Sequence, residues 1–197
     1  MVCRLVRGIS ISGRITCYYE LFDRSASSYE NIVRSSIMSA WKLSEETDDM
    51  MVFKEGSISN LKVCIDFSIN RAISRFMFSG VRELSSVARL LKSIMRNASS
   101  CNLLMSITGL TSNEILEIEG RVKKFKLRGL IEDPSTHSFR CDIMLKQFSY
   151  SIAVYGEDCS ADVIARFKDE REVDETFSSV KSIIRPSVID RLFKGLK

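Results

Sequence analysis

The side chains best able to do covalent or metal chemistry here are six cysteines, Cys3, Cys17, Cys64, Cys101, Cys141 and Cys159, and one histidine, His137. A structural zinc site is built from thiolates and imidazoles, usually in tight pairs such as CxxC. No two of these cysteines are that close. A cysteine nucleophile would have only His137 as an imidazole base, and its neighbours are Thr136 and Ser138. The acidic pairs Glu45–Glu46, Asp48–Asp49 and Asp169–Glu170 could chelate a cation, but adjacent carboxylates on a loop or exposed helix are usually solvated. The glycine-rich phosphate loops GxGxxG and GxxxxGK are absent, as are HExxH and GxSxG. We therefore expect no enzyme, no cofactor and no metal. The cysteines read as reduced, mostly buried thiols in a cytoplasmic setting.

The other chemistry on offer is neutralisation of phosphate. Arg121, Lys123, Lys124, Lys126 and Arg128 crowd into one short stretch. The net charge of +4 permits a polyanionic partner without demanding one. Residues 1–99 carry 14 basic and 10 acidic side chains, residues 100–140 carry 6 and 5, and residues 141–197 carry 9 and 10. The lysine-rich stretch is therefore balanced by its own acids. No apolar run approaches the roughly 18–20 residues of a membrane span, and the start of the chain lacks the apolar core of a signal peptide.

These residues need elements to hold them. Ile9, Ile11, Ile15, Cys17, Tyr19 and Leu21 alternate with polar or small residues, a strand period, with Gly8 and Gly13 marking a bulge or bend. Tyr29, Val33, Ile37 and Trp41 line one face of a helix capped near Ser27 or Ser28. Leu61 to Ile69 alternate strictly. Asn70–Arg71 turns the chain, and Ile73 to Phe78 returns as a hairpin arm. Val87, Leu90, Leu91, Ile94 and Met95 then form an amphipathic stripe. The order strand, helix, strand, hairpin, helix over residues 1–97 resembles one half-repeat of the TATA-box-binding protein fold. The local likeness lies in VCIDFSINRAISRFMFSGVRELSSVARLLKSI.

Residues 86–145 resemble a winged helix-turn-helix. Ser86 to Asn97 would be its first helix and Leu103 to Ile107 its second. Thr108, Gly109 and Leu110 stand at the tight turn, where Gly109 tolerates positive φ. Thr111 with Glu114 forms a capping box. The third helix would run to about Arg128 on Ile115, Ile118, Val122 and Phe125, with Gly129 as its cap. Leu130–Ile131 and Phe139, Cys141, Ile143 and Leu145 would form the wing around Asp133-Pro134. The resemblance implies DNA binding by the third helix in the major groove. Thr111, Ser112 and Asn113 would stand at its entry, Lys123, Lys124 and Lys126 on phosphates, and His137 and Arg140 in the wing. Glu117–Arg121 and Glu119–Lys123, spaced i,i+4, explain part of the same charge pattern as helix stabilisation.

Phe148, Tyr150, Ile152 and Val154 alternate on even numbers, a parity switch that places a bulge or turn at Lys146–Gln147. Glu172 to Arg185 reads as a helix stopped by Pro186, and Ser187 caps a last short helix. The expectation is an α+β protein: a small N-terminal α/β domain over 1–84, a winged helix-turn-helix over 85–145, and a C-terminal strand and helices over 146–197. Its expected role is a transcriptional regulator bound to double-stranded DNA, as a homodimer. The alternative is a protein-interaction module in a transcription-related assembly.

Overall fold

The computed structural model describes residues 10–20, 26–38, 42–47, 50–55, 58–68, 71–81 and 83–184. The chain runs β1 (Ser10–Glu20), α1 (Ala26–Met38), β2 (Leu43–Thr47), β3 (Met50–Glu55), β4 (Ile58–Ser68), β5 (Arg71–Val81) and α2 (Leu84–Met95). It continues as β6 (Ser100–Thr108), α3 (Ser112–Val122), β7 (Leu127–Asp133), β8 (Ser138–Met144), β9 (Ser149–Tyr155), β10 (Ser160–Phe167) and α4 (Glu170–Ile183). Strand, helix, four strands, helix occurs twice. The strands form one ten-stranded antiparallel sheet in the order β2-β3-β4-β5-β1-β6-β10-β9-β8-β7. Exchanging the two copies maps this order onto itself, so a pseudo-two-fold axis passes between β1 and β6. None of the helices described is long and apolar enough to cross a membrane.

This architecture overturns the winged helix-turn-helix and the α+β division built on it; the fold is β-rich. The decisive stretch is 100–108. Cys101, Leu103, Met105 and Ile107 are buried while Leu104 and Thr108 are exposed, the period of a strand. Residues 103–107 are therefore not a second helix but the middle of β6, paired with β1 on one side and β10 on the other. The expected third helix ends at Val122 rather than Arg128, and Leu127 already belongs to β7. Gly129 is not its cap. It sits at φ +64 in a bulge of β7, where the register slips between Arg128 and Ile131. The division into one half-repeat followed by a different fold is likewise corrected, because the same plan continues through the second half.

Other local expectations match the described elements. Gly13 marks a register shift in β1, and a Cβ there would collide with the Leu104 carbonyl oxygen and the Phe78 ring. The α2 stripe Val87, Leu90, Leu91, Ile94 and Met95 is buried throughout. The Thr111–Glu114 capping box is formed, with Thr111 N–H donating to Glu114 Oε2 at 2.8 Å. The parity switch between β8 and β9 is a tight turn closed by Leu145 N–H donating to the Phe148 carbonyl at 2.9 Å. Trp41 and the helix expected after Pro186 lie outside the described residues.

The helices cover one face of the sheet, where α2 packs on α4, α1 on α2, and α3 on α4. Ile15, Leu61, Phe76, Leu103, Tyr150 and Phe167 point into this layer with almost no exposure. Burying such side chains is worth about 1.5–3 kcal/mol each. Inside it, the Tyr150 hydroxyl meets Ser179 Oγ at 2.7 Å and Tyr19 meets Ser74 at 3.0 Å. Burial pushes the Tyr19 phenol up to about 12. Cys17 and Cys101, opposite each other on β1 and β6, are joined as a disulfide with Cα atoms 4.1 Å apart. This corrects the expectation that every thiol is reduced; Cys64 and Cys141 are free.

Candidate functional site: the open face of the sheet

Because side chains alternate across a strand, the residues between the buried ones form a second face that none of the described helices covers. On β1 these are Arg14, Thr16 and Tyr18; on β6, Asn102, Leu104, Ser106 and Thr108; on β10, Asp162, Ile164 and Arg166. Register aligns them into rows. Met77, Arg14, Leu104 and Ile164 lie side by side on four neighbouring strands, and Arg75, Thr16, Asn102 and Arg166 form the next row. Neighbouring strands lie about 4.8 Å apart, so Arg14 and Arg166 flank Leu104 and Asn102 on the diagonal.

A concavity of about 550 Å³ opens here, lined by Arg14, Tyr18, Asn102, Leu104, Ile164 and Arg166 among others. Leu104 and Ile164 stand 37% and 43% exposed beside it. Asn102 Oδ1 is buried without a hydrogen-bond partner.

On the helical side several cations pair with acids: Arg34 with Glu30 and Glu46, Lys92 with Asp174, Arg96 with Glu170, Arg121 with Glu117, and Lys123 with Glu119 and Glu132; Arg89, Lys124, Arg171 and Lys181 form no ion pair among the described residues. Glu119 and then Glu132 raise the Lys123 ammonium well above its usual range. On the open face Arg128 pairs with Asp142 at 3.3 Å. Asp162 and Asp142 accept from the serines directly opposite them, Ser106 and Ser151, each at 2.6 Å. The Ser151 hydrogen bond, followed by Arg128, holds the Asp142 carboxyl below its usual value. Arg14, Arg140 and Arg166 form no hydrogen bond or ion pair among the described residues.

The structure scatters the residues singled out from sequence. Thr111 is the N-cap of α3, and Ser112 and Asn113 form its first turn, on the helical side. Lys123 is the C-cap of the same helix and is doubly paired. Lys124 and Lys126 are exposed in the link to β7. Lys126 borders a shallow second concavity of about 830 Å³ with Lys146, Asp174 and Glu175, whose charges cancel. His137 sits at φ 52 in the β7–β8 turn. Arg140 alone reaches the open face, opposite Ile131 and Ala153. Sequence reasoning missed Arg14, Asn102, Leu104, Ile164 and Arg166. For Arg14 the signal was present, since it lies on the odd-one-out face of a strand whose buried set was recognised.

No protein-family model matches the chain, and no curated protein matches it.

Proposed function

We propose that this protein binds double-stranded DNA through the open face of its sheet. The observation that carries this reading is the pair Arg14 and Arg166, which form no hydrogen bond or ion pair among the described residues and flank a concavity on an internally two-fold face. Guanidinium groups without protein partners are available to phosphate, which they can hold through two hydrogen bonds. Sheets enter DNA grooves through their strands. Proteins lying in the minor groove combine arginine and asparagine with apolar side chains, the residue types gathered here as Arg14, Asn102, Leu104, Ile164 and Arg166. The pseudo-two-fold axis lets one chain meet the two-fold symmetry of a duplex without a second copy. A role in transcriptional control remains part of the proposal.

The test is fluorescence anisotropy with mixed-sequence duplex DNA, titrated across salt. Each neutralised phosphate contributes about 0.9 to the slope of log K against log salt. Replacing Arg14 and Arg166 together by Gln should lower that slope by about 1.8. Lys123→Gln with Lys124→Gln, on the helical side, should leave it unchanged. Absence of binding at low salt, or a slope that follows the lysines and ignores the arginines, refutes the reading.

A further inference from the structure

The two ends of the open face occupy the same structural slot with opposite chemistry. At each end an edge strand is tied to the preceding helix by a glutamate on the helical side: Glu46 of β2 to Arg34 of α1, and Glu132 of β7 to Lys123 at the end of α3. The residue just before each glutamate must then face the other way, onto the open face. These residues are Glu45 and Ile131. Register agrees: Glu45 lies opposite Val52 on β3, and Ile131 lies opposite Arg140 on β8. One end therefore presents an exposed carboxylate beside a buried valine. The other presents an isoleucine beside an arginine whose charge partner, Asp142, is already ion-paired with Arg128.

Ile131 is 71% exposed, more than any other large apolar side chain described, and Leu130 and Tyr155 stand near half that. An exposed branched side chain next to a guanidinium that makes no hydrogen bond or close ion pair among the described residues, at the rim of a sheet, is suited to wedging at a base step while the arginine holds the adjoining phosphate. A carboxylate in the matching position repels phosphate and has no apolar body to insert. We infer that a bound duplex is gripped and bent at the Ile131–Arg140 end alone, so that the pseudo-symmetric face works with a fixed polarity. This rests on the open-face reading above, with duplex DNA as the occupant.

The experiment uses the full chain with a photoreactive benzoylphenylalanine at position 131 or at position 45, on mixed-sequence duplex DNA two helical turns long. Anisotropy follows binding, and energy transfer between end-attached dyes follows bending. Crosslinks from position 131 and none above background from position 45 are expected. Ile131→Ser should lose the bend and keep the salt slope. Glu45→Lys should add one phosphate contact and raise the slope by about 1. Binding with equal crosslinking from both ends, or a bend untouched by Ile131→Ser, overturns the polarity while leaving the open-face reading intact. No binding to the duplex overturns both.

Discussion

Alanine substitutions along residues 103–105 separate the central strand from the helix that the sequence suggested. In β6, Leu103 and Met105 are 1% and 0% exposed and point into the layer under α2, whereas Leu104 is 37% exposed on the other face. In a helix, positions 103 and 105 would lie roughly 200° apart and could not both be core. Deleting a buried leucine or methionine side chain costs about 2–5 kcal/mol, including the cavity left behind. For a chain of this size each kcal/mol moves the melting temperature by roughly 2–4 °C. At about 3 kcal/mol, Leu103→Ala and Met105→Ala should each melt roughly 6–12 °C early. Leu104→Ala, trimming a side chain partly in solvent, should stay within about 1 kcal/mol of the parent and weaken DNA binding instead. Urea unfolding followed by circular dichroism gives the stabilities, and anisotropy gives the binding. A neutral Met105→Ala with a costly Leu104→Ala would refute the strand and the sheet built around it.

Other perturbations have defined outcomes. Thr111→Ala removes the hydroxyl that accepts from Glu114 N–H and donates to the buried Glu114 carboxylate; it should cost about 1 kcal/mol in urea unfolding, with Thr111→Ser restoring most of it. The Cys17–Cys101 disulfide spans 84 residues, and a loop of that length contributes about 4.5 kcal/mol in the chain-entropy account. Reductant or the double Ser variant should lower the urea midpoint accordingly, and alkylation of both thiols in denatured, unreduced protein would show the bond does not form. Asp142 has its carboxyl pKa depressed, so its contribution is present above the unfolded value of 3.8 and is lost as pH falls through the lower folded value. Asp142→Asn should flatten the acid limb of a stability–pH profile in that window, and an unchanged limb would show that Ser151 and Arg128 do not stabilise the charge.

Much of the local structure was readable because each signal lay within a few residues. The α2 stripe, the Thr111–Glu114 box and the alternation of Phe139, Cys141 and Ile143 depend only on near neighbours. What misled was Leu104. An apolar residue on the uncovered face turns the alternation of β6 into the run LLM, which reads equally well as helix. The helical spacing of Ile118, Val122 and Phe125 runs past the actual end of α3, because Phe125 is packed from the turn that follows. Strand β10 was overlooked since two of its inward residues, Ala161 and Ala165, add little apolar contrast. Pairing of β1 with both β5 and β6 joins residues as far apart as Ser10 and Thr108, and no local pattern encodes that. The candidate site was hidden for the same reason: its members come from strands that only the sheet order makes adjacent.

The seam between β1 and β6 makes the chain a tethered dimer of its own halves. Either half alone would end in a raw strand edge, with a row of unmet amide and carbonyl groups ready to template another chain. In the whole protein that edge finds its mate at the effective concentration set by the covalent link, so dilution does not part the halves as it would separate subunits. The duplicated plan thus keeps the pairing of a symmetric assembly while releasing its two ends from having identical residues. That freedom is what allows a carboxylate at position 45 to face the same way as an isoleucine at position 131.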